Sequence, residues 1–150
     1  MPLNYRFSFL LIMKSKFILI LVIFFFGIIG TASADYSDGW DAYTKKNYLK
    51  ALVEWLPLAE QGLSQAQYNL AGMYAKGHGV KVDDEKAVYW YRKAALQGHP
   101  RAQYNLGVMY LLGNGVYQSY EDAKPWLQLS YENGIDEAET IWNKNELWKY

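Results

Sequence analysis

Asn69 and Asn105 stand thirty-six residues apart inside near-copies of one stretch, AQYNLAGMYAKGHGV over residues 66–80 and AQYNLGVMYLLGNGV over residues 102–116. A side-chain amide offers a donor and an acceptor together, so it can pair with the backbone of an extended peptide whatever that peptide's sequence. A structural reading stands beside this one: both amides bond to the preceding loop and hold successive copies together, as buried amides commonly do. Other chemistry is sparse. With no cysteine there is no thiol nucleophile, and the only two histidines, His78 and His99, lack the spaced partners of a metal site or a catalytic triad. Asp83, Asp84 and Glu85 cluster where a helix starts, and there negative charge meets the positive end of the helix dipole. The residues therefore predict a binding protein, not an enzyme, with no metal and no cofactor.

The elements that position these asparagines follow from the repeat. Shifting the sequence by 36 residues superposes Ala51, Ala87 and Ala123, then Gly62, Gly98 and Gly134, then Ala66, Ala102 and Ala138. A fixed period of this size marks a stacked architecture. Trp55, Tyr91 and Leu127 share a large apolar position, while Asn47, Asp83 and Ser119 share only the ability to cap a helix N-terminus. From each cap a helix runs roughly 13 residues to the aligned glycine, where a left-handed residue ends it. A second helix starts near Ser64, Pro100 and Asp136. In it Ala66, Leu70, Met73 and Tyr74 form one stripe at the 3.6-residue period, repeated by Ala102, Leu106, Met109 and Tyr110. The loop between the helices carries Gly77 and Gly79, then Gly113 and Gly115; His78 and Asn114 between them tolerate a left-handed backbone. Pro57 and Pro125 fall inside helices and are expected to kink them.

Residues 35–63 read as an N-terminal partial repeat, its loop shortened to about Thr44, Lys45 and Lys46; residues 64–99 and 100–135 are full repeats, and residues 136–150 a capping helix ending near Trp148. Trp55, Trp90 and Trp126 read as core. Trp148 and Tyr150 have no equivalent in the repeats, and either cover the end of the stack or offer an apolar patch to a second protein.

Residues 1–34 have a different character. An uncharged run, FILILVIFFFGIIG, follows Lys14 and Lys16 and leads to Thr31, Ala32, Ser33 and Ala34, the pattern of a secretory signal peptide cleaved after Ala34. The run is shorter than the ~20 residues of a membrane span. Met13 begins a complete leader by itself, so translation is expected to start there. The processed chain carries twelve Lys and Arg against fifteen Asp and Glu, a net charge of −3, which is no footprint for nucleic acid.

The repeats resemble the Sel-one-like family, relatives of the tetratricopeptide repeats. The family pattern meets Ala66, Leu70, Tyr74, Gly77, Gly79 and Val80, then Asp84, Lys86, Ala87, Trp90, Tyr91, Ala94, Ala95 and Gly98. The next unit agrees at Leu106, Gly107, Tyr110, Gly113, Gly115, Val116, Ala123, Trp126 and Gly134, and departs at Tyr120, Asp122 and Pro125. The resemblance implies an all-α fold, an α/α solenoid of antiparallel helix pairs wound as a right-handed superhelix. It also implies the peptide-pairing role for Asn69 and Asn105.

Such a solenoid leaves a concave surface lined by the first helix of each pair. Next to the buried stripe that surface takes Gln65, Tyr68, Asn69 and Lys76 from one repeat, and Arg101, Tyr104, Asn105 and Leu112 from the next. Tyr68 and Tyr104 also suit packing, and Arg101 and Lys76 also suit plain solvation. The expected partner is a protein or peptide, with no nucleic acid and, once the leader is cleaved, no membrane; self-association through the ends is a further expectation. The expected function is an exported interaction scaffold, periplasmic or secreted. The alternative is a weak cell-wall or β-lactam hydrolase, which the resemblance implies through cysteine-rich exported relatives, although this chain has no cysteine.

Overall fold

The computed structural model describes residues 35–149; the expected leader, its start at Met13 and Tyr150 lie outside the described residues, as does the side chain of Trp148. The chain forms α1 (Tyr36–Thr44), α2 (Tyr48–Glu60), α3 (Ser64–Lys76), α4 (Asp84–Leu96), α5 (Pro100–Leu112), α6 (Tyr120–Glu132), α7 (Glu137–Lys144) and a final 3-10 turn, Leu147–Lys149. There is no strand among the described residues. Each helix packs on its successor, so the architecture is an α-solenoid of helix pairs: α1–α2, α3–α4, α5–α6, then α7.

The three capping positions act alike. The side chains of Asn47, Asp83 and Ser119 accept the backbone N–H of Lys50, Lys86 and Asp122 at 3.3, 2.9 and 3.0 Å. At the other end of α2, α4 and α6, Gly62, Gly98 and Gly134 take φ of 100°, 81° and 89°, a region that penalises any Cβ. The loop glycines have a further reason to be glycine: a Cβ on Gly115 would lie 2.4 Å from the carbonyl of Asp84, where the loop crosses the start of α4. His78 and Asn114 do not use their tolerance of a left-handed backbone; among the described residues outside glycine, Lys46 and Glu146 have positive φ. His78 serves instead as a wedge. Its ring stacks on Tyr48 at 4.3 Å, and its Nδ1 is 3.0 Å from the Tyr43 hydroxyl, which ties the loop after α3 to the first pair.

Pro57 and Pro125 leave α2 and α6 continuous. The carbonyls they free belong to Val53 and Glu121, both exposed residues. The last helix is shorter than expected: it ends at Lys144, the amide of Asn145 donates to the Ile141 carbonyl, and the left-handed Glu146 turns the chain so that Leu147 is fully buried. Leu147 joins Leu111, Leu127 and Ala138 in a small core at that end.

The main core is built from the expected stripe. Ala66, Leu70 and Met73, like Ala102 and Leu106, have no exposed surface, and each large member contributes about 1.5–3 kcal/mol by leaving water. Small residues on the first helix of a pair admit the large residue of the second. A Cβ on Gly39 would meet the Trp55 ring at 2.2 Å, and one on Gly107 would meet Leu127 Cγ at 2.7 Å.

Two buried glutamines suture the repeats. Gln67 donates its amide to the Ala59 carbonyl at 2.9 Å and accepts from Gln97 at 2.7 Å, so α3 is tied to the helices before and after it. One period later Gln103 donates to the Ala95 carbonyl at 3.2 Å and accepts from Asn133 at 3.0 Å.

Candidate functional site: the concave groove

The loop between α1 and α2 is four residues shorter than its counterparts, so α1 is in register with α3 at an offset of 32, not 36. Tyr36, Tyr68 and Tyr104 then share one position on α1, α3 and α5, while Trp40, Gly72 and Val108 share another. Asp38 and Asp41, where α3 buries Leu70 and Met73, are exposed, because no helix precedes α1 in the described stack to cover them.

Across these three helices runs an open groove of about 540 Å³. Trp40, Gly72 and Val108 all line it. Gly72 lacks a side chain, so the middle of the groove opens onto the hydroxyl of Tyr91, which a Cβ at 72 would approach to 3.6 Å. Trp40 forms one end, 51% exposed and stacked on Tyr43 at 6.2 Å. Lys76 and Asp84 bring the groove's charge, and Asn114 adds a loop amide.

Of the eight residues expected on the concave surface, the groove gathers Tyr68, Asn69, Lys76 and Asn105. Asn69 lies half-buried and donates its amide to the Tyr36 hydroxyl at 3.0 Å. Asn105 lines the groove beside Tyr91, and its side chain opposes the rise of the Tyr91 pKa. Asn69 thus ties its repeat to α1, as the structural reading supposed, through a tyrosine hydroxyl on a helix and not through the preceding loop. The Asn69 bond uses one amide N–H and leaves the second N–H and the carbonyl oxygen to a ligand.

The other four residues, Gln65 on α3 and Arg101, Tyr104 and Leu112 on α5, lie outside it. Leu112 and Arg101 are exposed, Leu112 at 63%, and neither lines the groove. Tyr104 packs on the core formed by Leu111 and Leu127. Gln65 is exposed and pairs with His99 at 3.1 Å. His99 is the N-cap of α5: its Nδ1 accepts the Ala102 N–H at 3.3 Å, which leaves the proton on Nε2 for Gln65. The His99 ring stacks on Tyr68 at 4.6 Å and so holds that groove residue in place.

The tyrosines stay protonated. Burial pushes the Tyr91 hydroxyl well above its ordinary pKa, with nearby Tyr68 adding to the rise and the Asn105 amide opposing it. Burial raises Tyr43 as well, with Tyr48 and Tyr68 contributing. The groove therefore presents neutral hydroxyl and amide donors at physiological pH. Among the described residues there is no group of three or more His, Cys, Asp and Glu able to hold a metal, and no helix is long and apolar enough to cross a membrane.

Sequence reasoning missed Trp40 and Tyr43. The available signal was the trio of tyrosines at offsets of 32 and 36, hidden by the shortened first loop.

Fold and groove together define a helical-repeat solenoid with an open, mixed polar and aromatic concave face. Residues 64–99 and 100–135 each match the Sel1 repeat, the two full repeats of the stack. Among solved structures, the chain is similar to a protective antigen of uropathogenic Escherichia coli strains that displays an SLR fold, at 40% identity and a TM-score of 0.60, over 61% of this chain and 20% of that one. It is also similar to a Sel1 repeat protein from Oxalobacter formigenes, at 33% identity and a TM-score of 0.68, over 71% of this chain and 44% of that one. The chain thus spans less than half the length of either structure. No curated protein matches it.

Proposed function

We propose that the protein is an exported interaction scaffold that holds a peptide segment of a partner protein in its concave groove. One observation carries this reading: the groove crosses the first helices of consecutive pairs and gathers the amides of Asn69 and Asn105 beside Tyr68 and Lys76. Repeated amides on successive helices suit a repeating backbone better than a compact small molecule. Residues 1–34 support export through their basic flank, apolar run and small-residue ending. In this reading residues 35–63 cap the stack with the polar side of α1, and residues 136–150 close its other end.

The test is photocrosslinking from within the groove. A photoreactive residue at position 72 or 105 captures a polypeptide at a ratio of about one to one, whereas the same group at position 53, on the outer side of α2, does not. Equal capture from position 53, or none from 72 and 105, removes the groove as the site. N-terminal sequencing of the processed protein, expected to begin at Asp35, tests export separately.

A further inference from the structure

We infer that the groove is gated by pH through His99, holding its segment near neutrality and releasing it in mild acid, an inference that rests on the groove being a peptide seat. The chain has two histidines, and each holds a tyrosine that lines the groove. The His99 ring stacks on Tyr68 at 4.6 Å, and Nδ1 of His78 lies 3.0 Å from the hydroxyl of Tyr43. Tyr68 packs in turn on the Tyr91 ring at 5.8 Å, so a displacement of Tyr68 reaches the residue whose hydroxyl lies beneath Gly72.

His99 stands at the joint between the two full repeats, as the last residue of one and the N-cap of α5 in the next. Both ring nitrogens are committed. Nδ1 accepts the Ala102 N–H at 3.3 Å, and Nε2 pairs with the side-chain oxygen of Gln65 at 3.1 Å. Only the neutral ring with its proton on Nε2 satisfies both bonds. A second proton has to go to Nδ1, where it sets a donor against the donor that the ring now caps.

The surroundings give that proton no compensation. From α3 the ring meets the amide of Gln65 and the phenol of Tyr68. The Ala94 carbonyl on α4 already accepts the backbone N–H of His99 at 3.1 Å, and the Ser130 hydroxyl on α6 is given to the Pro100 carbonyl at 3.0 Å. Arg101, on α5 itself, is a like charge that opposes protonation. Among the described residues no carboxylate lies within ion-pair distance of the ring. The positive end of the α5 dipole adds to the repulsion. The protonated ring therefore leaves the cap, and Tyr68 loses the face that fixes it. His78 differs, because the Tyr43 hydroxyl can accept as well as donate, so that pair survives protonation by reversing its bond.

A segment that needs Tyr68 in place binds the neutral form of His99 better, and by reciprocity acid weakens the hold on the segment. Burial already keeps the His99 pKa below the ordinary 6.5. Affinity is therefore at its full value above about 6.5, falls by at most about tenfold per pH unit as the pH drops through the pKa of the free protein, and levels off below that of the complex.

The experiment uses the full chain with a photoreactive residue at position 105, a pool of capped random hexapeptides as probe, and position 53 as the reference for photochemistry. Capture at pH about 5 is expected to be at least about threefold below capture at pH about 7.5. His99→Asn keeps a capping side chain and His99→Phe keeps a ring for Tyr68, but neither titrates. In each the ratio should fall to about one, with the helical circular dichroism spectrum retained. Nuclear magnetic resonance of the unsubstituted chain should show the Ala102 amide and the Tyr68 ring moving with the midpoint of His99. Equal capture at the two pH values, a fall that persists in both variants, or Ala102 and Tyr68 signals that do not follow His99 overturns the gate and leaves the peptide seat standing. Capture no greater than from position 53 at either pH removes the seat, and the gate with it.

Discussion

The side-chain amide of Asn69 on α3 donates to the hydroxyl of Tyr36 on α1 at 3.0 Å, so one residue both faces the groove and fastens the first helix of the stack. These two duties separate by mutation. Tyr36→Phe removes the bond and leaves the amide, and should lower stability by about 1 kcal/mol with partner capture retained. Asn69→Ala should cost a similar amount and also lose capture. Urea midpoints and a crosslinking assay on both variants check the pair.

Two glycines on different faces of α3 and α5 should respond in opposite directions. Gly72→Ala places a Cβ in ordinary contact with the Tyr91 hydroxyl inside a helix, and should stabilise by about 0.5–1 kcal/mol through helix propensity. Gly107→Ala drives a Cβ into Leu127 and the Ala123 carbonyl, and should destabilise by about 1–3 kcal/mol. Thermal melts of the two single variants decide it.

Gln67→Ala strands the buried Ala59 carbonyl, while the exposed Gln97 amide keeps its bond to the Lys93 carbonyl. Because Gln67 is buried, the expected loss is about 1–3 kcal/mol, larger than for Gln97→Ala on the more exposed side of the same contact. The double variant should cost less than the sum of the singles, as residues in one network do. Chemical denaturation of all three supplies the cycle.

Stability should fall in mild acid because of His99. Burial holds its pKa below the ordinary 6.5, with Arg101 contributing, so the unfolded chain takes up its proton first. Stability is therefore at its full value above about 6.5, declines as the pH falls from there, and levels off below the pKa of the folded state. Protonation also costs the bond that caps α5 through Nδ1. His99→Asn keeps a capping side chain that does not titrate, and should flatten the dependence of the urea midpoint between neutral pH and pH about 5.

The solenoid was legible because its cues are local. Asn47, Asp83 and Ser119 announce helix starts by chemistry alone, and Gly62, Gly98 and Gly134 announce ends. The stripe from Ala66 to Met73 foretold the core for the same reason. Contacts between repeats were less legible. Gln67 and Gln103 look like ordinary surface amides until the next repeat buries them, and the aromatic end of the groove was hidden because α1 keeps a different register. His78 shows the limit of reading a loop by backbone tolerance: its ring is used for stacking on Tyr48, which no torsional preference foretells.

Asp38 and Asp41 give the stack a polarity of growth. A molecule added in front of α1 would strip water from Asp38 and from the Asp41–Lys45 ion pair, whereas the far end presents Trp142 and an apolar recess beside Leu127. Head-to-tail polymerisation needs both ends to be adhesive, and here one of them repels. Crowding the protein should thus yield closed pairs at most, never fibres.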